Sequence, residues 1–160
     1  MSAPVPGARA DTLVFAWGNP SRGDDALGPL FVDAVEALQL PGVECLTDFQ
    51  LQVEHALDLV GRKRVLFVDA SCDVRAALAD QPFQFGPLLA HRDASFTTHA
   101  MSPASVLQVY TDLEGHAPPP TWLLAIRGEQ WELGQQPSAA ALDSLQQALA
   151  WATGWLGEPA

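Results

Sequence analysis

Apolar residues fall along this chain in two rhythms: short unbroken blocks, and longer stretches with apolar positions three and four apart. The first block, Thr12 to Trp17, is apolar almost throughout, which predicts a strand covered on both faces, as in parallel sheets. From about Ala26 to Gln39 the pattern changes. Leu27, Leu30, Phe31, Ala34, Val35 and Leu38 recur at helical spacing, and Pro29 fits a first turn. Pro41-Gly42 closes that unit. Val43 to Asp48 reads as a second strand, Gln52 to Val60 as a short helix ended by Gly61, and Arg64 to Asp69 as the cleanest strand of all. Ala70 to Gln81 reads as irregular, Pro82 to Pro87 as a weaker strand, and Ala90 to His99 as a loop. A helix from about Ser102 to Leu113 follows, with Ser102 as its cap. After Pro118-Pro119-Pro120 come a last strand, Trp122 to Ile126, and a helix from Ala139 to about Trp155 capped by Ser138. Leu142, Leu145, Leu149, Ala152 and Leu156 are its expected buried stripe.

Strand and helix in alternation predict a doubly wound, three-layer α/β/α fold with a mostly parallel sheet of about five strands. The 160 residues fit one domain, with residues 1–11 as a flexible N-terminus. A hydrophobic fraction of 48% is enough for a core. The formal net charge of -11 disfavours nucleic acid and anionic membrane as partners. The dense basic cluster, Gly61-Arg62-Lys63-Arg64, is expected to be a solvated turn. Met1 to Asp11 does not look like a signal peptide, and no apolar run approaches the ~20 residues of a membrane span. Cytoplasm is the expected compartment. Cys45 and Cys72 are too few for a disulfide framework or a zinc motif.

The candidate chemistry sits where strands end. Asp24 and Asp25 follow the first strand, Asp69 closes the third, and His99 stands just before a helix. In a parallel sheet the carboxyl ends of the strands share one edge, so Asp25 and Asp69 should converge there, and His99 can join them. Two carboxylates and an imidazole suit a borderline divalent cation such as zinc or nickel, with positions left open for water or substrate. Each residue also has a plain structural reading: an acid at a helix start complements the helix dipole, and an Asp at a strand end bonds loop N–H groups. Gly18, Gly23 and Gly28 do not spell a dinucleotide loop, there is no phosphate-binding lysine motif, and the acid pair would repel phosphate. Ser71, Ser95 and Ser105 lack a nucleophile-elbow setting. His55 reads as a helix-surface residue, although Gln50, Gln52 and His55 could line the same edge. Cys72 reads as buried and inert, and Trp122, Trp131, Trp151 and Trp155 as packing residues.

Gly18-Asn19 followed by Asp24-Asp25-Ala26-Leu27-Gly28 resembles the G-N-x(4)-D-[DE]-x-x-G signature of the [NiFe]-hydrogenase maturation endopeptidases. Val68-Asp69-Ala70 resembles that family's second acidic position, and Thr98-His99 before Ser102 to Val109 its histidine position. The resemblance runs from about Leu13 to Ala125. Asp48-Phe49-Gln50-Leu51-Gln52-Val53-Glu54-His55-Ala56-Leu57-Asp58 looks most like the branch serving cytoplasmic NAD-reducing hydrogenases, with Phe49-Gln50-Leu51 in place of the turn that is Asp-Gly-Gly-Thr in many relatives. The resemblance implies an endopeptidase that removes the C-terminal extension of a hydrogenase large-subunit precursor after nickel insertion. It implies nickel supplied by the substrate and no organic cofactor. Asp25, Asp69 and His99 would meet the metal, with Asp25 or Asp69 activating water. Gly18, Asn19, Asp24, Asp48, Gln50 and His55 would shape the loop or contact substrate. A binding chaperone for the nickel-loaded precursor and a small metal-dependent hydrolase are the alternatives.

Overall fold

The computed structural model describes residues 9–71, 81–92 and 101–160. Five strands form one sheet: β1 (Thr12–Trp17), β2 (Val43–Asp48), β3 (Arg64–Ser71), β4 (Phe83–Pro87) and β5 (Thr121–Arg127). Their order is β2-β1-β3-β5-β4. All neighbours are parallel except β4, which runs antiparallel along β5 from Phe83 opposite Ile126 to Pro87 opposite Trp122. Among the described residues the helices are α1 (Leu27–Ala37), α2 (Pro103–Glu114) and α3 (Ala139–Gly157), with 3₁₀ segments at Gly23–Ala26 and Val53–Leu59.

Side-chain alternation on β1 and β3 explains the two cores. Val14, Ala16, Leu66 and Val68 point to one face, where Phe31 and Val35 of α1 and Leu145, Ala148 and Ala152 of α3 cover them. Leu13, Phe15, Val65 and Phe67 point to the other, against Leu51, Ala56 and Leu59 beside the 3₁₀ segment and Val106, Leu107 and Tyr110 of α2. Burial on both faces is why these strands carry unbroken apolar runs. The three-layer α/β/α arrangement is therefore the observed one, and the weak strand before Pro87 is an edge strand. Phe83 and Phe85 anchor it, with the Phe85 ring 4.4 Å from that of Trp151.

The local details sharpen or differ from what the sequence pattern predicts. The short helix expected after Gln52 is present as a 3₁₀ helix, in which the ring of His55 takes the N–H of Gln52 and tightens the first turn. On α3 the buried stripe runs through Ala141, Ser144 and Leu145, and Leu142 faces outward. The basic turn is largely turned inward. Arg62 donates to Asp58 O and Ala10 O, and Arg64 donates to Thr12 Oγ1 and to the carbonyls of Trp155, Leu156 and Glu158 while stacking on the Trp155 ring. Of the N-terminal residues 1–11 only 9–11 are described. Arg9 donates to Leu57 O and Val60 O, and Asp11 O accepts from Lys63 and Arg64 N–H groups. No helix among the described residues is long and apolar enough to cross a membrane.

Candidate active site

β1 leaves the sheet at Trp17, and the chain turns at Gly18. Its φ is +148°, and a Cβ there would lie 2.0 Å from the Asp25 carbonyl oxygen, so this turn admits only glycine. Gly18 N–H donates to Asp48 O at the end of β2, 3.1 Å away. Asn19 Oδ1 accepts from Ser21 N–H, closing a side-chain turn. Asn19 N–H donates to Asp25 Oδ2 at 2.7 Å. The Gly18-Asn19 frame therefore grips the carboxylate of Asp25 directly. Gly28 completes the geometry, since a Cβ on it would meet Trp17 O at 2.6 Å.

The two adjacent acids have separate tasks. Asp24 is wholly buried, and its carboxylate accepts from Glu129 N–H, Gln130 N–H, Ser138 N–H and Ser138 Oγ–H. Burial alone would raise its pKa, but the donors from Glu129, Ser138 and Gln130 outweigh it, and the carboxyl is held below its ordinary 3.8. Asp24 thus ties the turn after β1 to the connection between β5 and α3, and does not face a substrate. The same tie adds Gly23 N–H to Gln135 O, Asp24 N–H to Gln130 O and Gly134 N–H to Ser21 O. Sequence reasoning missed this partner connection, whose members stand more than a hundred positions from Asp24 and carry no local motif.

Asp69 lies near the end of β3, on the face that carries Phe15 and Phe67. The β1–β3 register pairs Ala16 with Val68, so the next step sets Trp17 beside Asp69. Burial, and after it the negative charge of Asp25, push the Asp69 carboxyl up to about 7 against one opposing N–H bond from Ala70. Asp25 and Asp69 therefore converge on one edge and feel each other's charge. Such a pair gains from any cation that enters between its members.

His99 and Cys72 lie outside the described residues. The chain leading into α2 is nevertheless fixed at the carboxyl edge, because Met101 N–H donates to Leu51 O, three residues beyond the end of β2. Among the described residues no three His, Cys, Asp or Glu side chains come close enough to hold a metal. Gln50 is exposed just past β2. His55 is buried, contrary to the surface position expected of it, with its ring 4.6 Å from that of Phe15. Its Nε2 lies 3.1 Å from Asp48 Oδ2. Cys45 is pushed up to about 12 by burial and by Glu36 and Glu44, so it is no nucleophile at neutral pH.

No protein-family model matches this chain, and no curated protein matches it. Solved structures do. A [NiFe] hydrogenase maturation protease, HycI, from Thermococcus kodakarensis superposes with a TM-score of 0.71 at 18% identity, covering 95% of this chain and 96% of its own. The hydrogenase maturating endopeptidase HybD from E. coli gives 0.67 at 22% identity over 91% of each chain. A hydrogenase 2 maturation peptidase from a Thaumarchaeota archaeon gives 0.63 at 22% identity, covering 91% of this chain and 97% of its own. This chain shares their fold over nearly its whole length.

Proposed function

We propose that this protein is an endopeptidase that removes the C-terminal extension of a [NiFe]-hydrogenase large-subunit precursor. The observation that carries the reading is the convergence of Asp69 with Asp25, whose carboxylate a Gly-Asn turn grips, at the carboxyl edge of a sheet shared with named maturation proteases. The finer reading is that nickel arrives with the precursor and meets Asp25, Asp69 and His99. The donor set supports it, because two mutually repelling carboxylates are relieved by a divalent cation, and mixed oxygen and nitrogen ligands suit nickel. The cation would fix the peptide and polarise its carbonyl. A carboxylate whose pKa lies near 7 is matched to take a proton from the attacking water. The Asp48-Phe49-Gln50-Leu51 stretch supports a substrate from the cytoplasmic NAD-reducing class, with exposed Phe49 and Gln50 beside the site.

Intact-mass analysis of the large subunit before and after incubation with the purified protein tests this. The expected result is a single mass loss that requires nickel loading and disappears in Asp69→Ala. A stable, uncut complex would instead mark a binding chaperone. Undiminished cleavage by Asp69→Ala would remove Asp69 from the reaction.

A further inference from the structure

We propose that Asp48 and His55 form a positioning pair that holds the Asp25 carboxylate in register with Asp69; this rests on the protease reading above. Gln52 N–H donates to His55 Nδ1 at 2.8 Å, so a neutral ring carries its proton on Nε2, directed at Asp48 Oδ2. The other carboxylate oxygen of Asp48 accepts from Phe49 N–H at 2.7 Å. Both oxygens are thus engaged within the protein.

The bonds continue toward the site. Asp48 O accepts from Gly18 N–H, and the neighbouring Asn19 N–H donates to Asp25 Oδ2. A second branch leaves from Leu51, which is 2% exposed and whose carbonyl accepts from Met101 N–H. Asp48 and His55 therefore stand where the turn bearing Asp25 and the chain entering α2 are joined to the edge of the sheet. Packing against Phe15 would be served as well by an apolar residue. A histidine is needed only to satisfy Gln52 N–H and Asp48 Oδ2 at once. Reacting groups tolerate little displacement, and an error on the order of 1 Å is enough to slow a reaction by about a hundredfold.

Asp48→Asn tests the pair. The variant keeps the shape and an acceptor for Phe49 N–H, but sets an NH2 against Nε2–H. If the ring changes tautomer, Nδ1–H then faces Gln52 N–H instead. Adding His55→Gln restores the contact to position 48 alone, because an amide oxygen at the Nε2 position accepts from that NH2 while Gln52 N–H loses its acceptor. Two readouts apply to the full chain: processing of the nickel-loaded precursor, and the carboxyl ¹³C signal of Asp25 without metal at fixed pH. The expected result for Asp48→Asn is a displaced Asp25 signal and a kcat lowered by about tenfold or more, with KM changed much less. The double variant should recover both in part. An unmoved Asp25 signal, or a moved signal with unchanged kcat, overturns the positioning role. Failure of the wild-type protein to cut the precursor overturns the protease reading instead, and the Asp25 signal still decides whether the pair sets that carboxylate.

Discussion

Asp69→Asn should make the metal-free protein more stable, and only above mildly acidic pH. The carboxyl rises from its ordinary 3.8 to about 7 on folding, first through burial and then through the charge of Asp25. A folded-state value above the unfolded one means that stability is complete below about pH 4 and is lost as pH rises through 7. Each pH unit in that window carries about 1.4 kcal/mol, so full ionisation of Asp69 costs up to about 4 kcal/mol. Asparagine keeps an acceptor for Ala70 N–H and carries no charge, so it escapes that cost. For a chain of this size about 4 kcal/mol corresponds to a Tm gain of roughly 10 °C. Thermal unfolding of both proteins in chelator, from pH 4 to 8.5, reads it out. The curves should coincide at the acid end, diverge between 4 and 7 and run parallel above. A gain independent of pH, or a loss at pH 8, would show that Asp69 is not held in its neutral form by its surroundings.

Asp24 carries the opposite sign. Its carboxyl is lowered on folding, so its contribution is present above about pH 4 and fades as pH falls through the lower folded value. Asp24→Ala leaves several buried donors without an acceptor and should cost about 3 kcal/mol or more in urea unfolding at pH 7, and less at pH 2.5. Gly18→Ala should also be destabilising by about 3 kcal/mol, since its Cβ collides with a backbone oxygen that cannot yield; Gly42→Ala, with open space around it, should lose only the smaller cost of a positive φ, checked in the same titration.

Legibility followed locality. β1 and β3 were readable because burial on both faces leaves an unbroken apolar run, and α1 because Leu27, Phe31 and Val35 repeat on one side. The division of labour between Asp24 and Asp25 was readable in outline, since a residue at a tight turn next to Gly23 is a natural structural acid. The donors that fix Asp24 were not readable, because Glu129, Gln130 and Ser138 meet it only through the closed sheet. The 3₁₀ pitch of Val53–Leu59 was invisible because two turns of amphipathic sequence look alike at either pitch. His55 was misplaced for a related reason. A polar residue on a short helix reads as exposed unless its partners, Gln52 N–H and Asp48, are already known to be beside it.

The Asp24 cradle also makes the molecule modular in an unexpected place. Residues 18–25 and 128–138, far apart in the chain, are stitched by hydrogen bonds into one unit at the sheet edge. An engineer who wished to alter this edge would have to graft both stretches together. Exchanging either one alone would strand a buried charge, and a one-residue slip in the first would send Asp25 into the cradle and put Ala26 where Asp25 now stands.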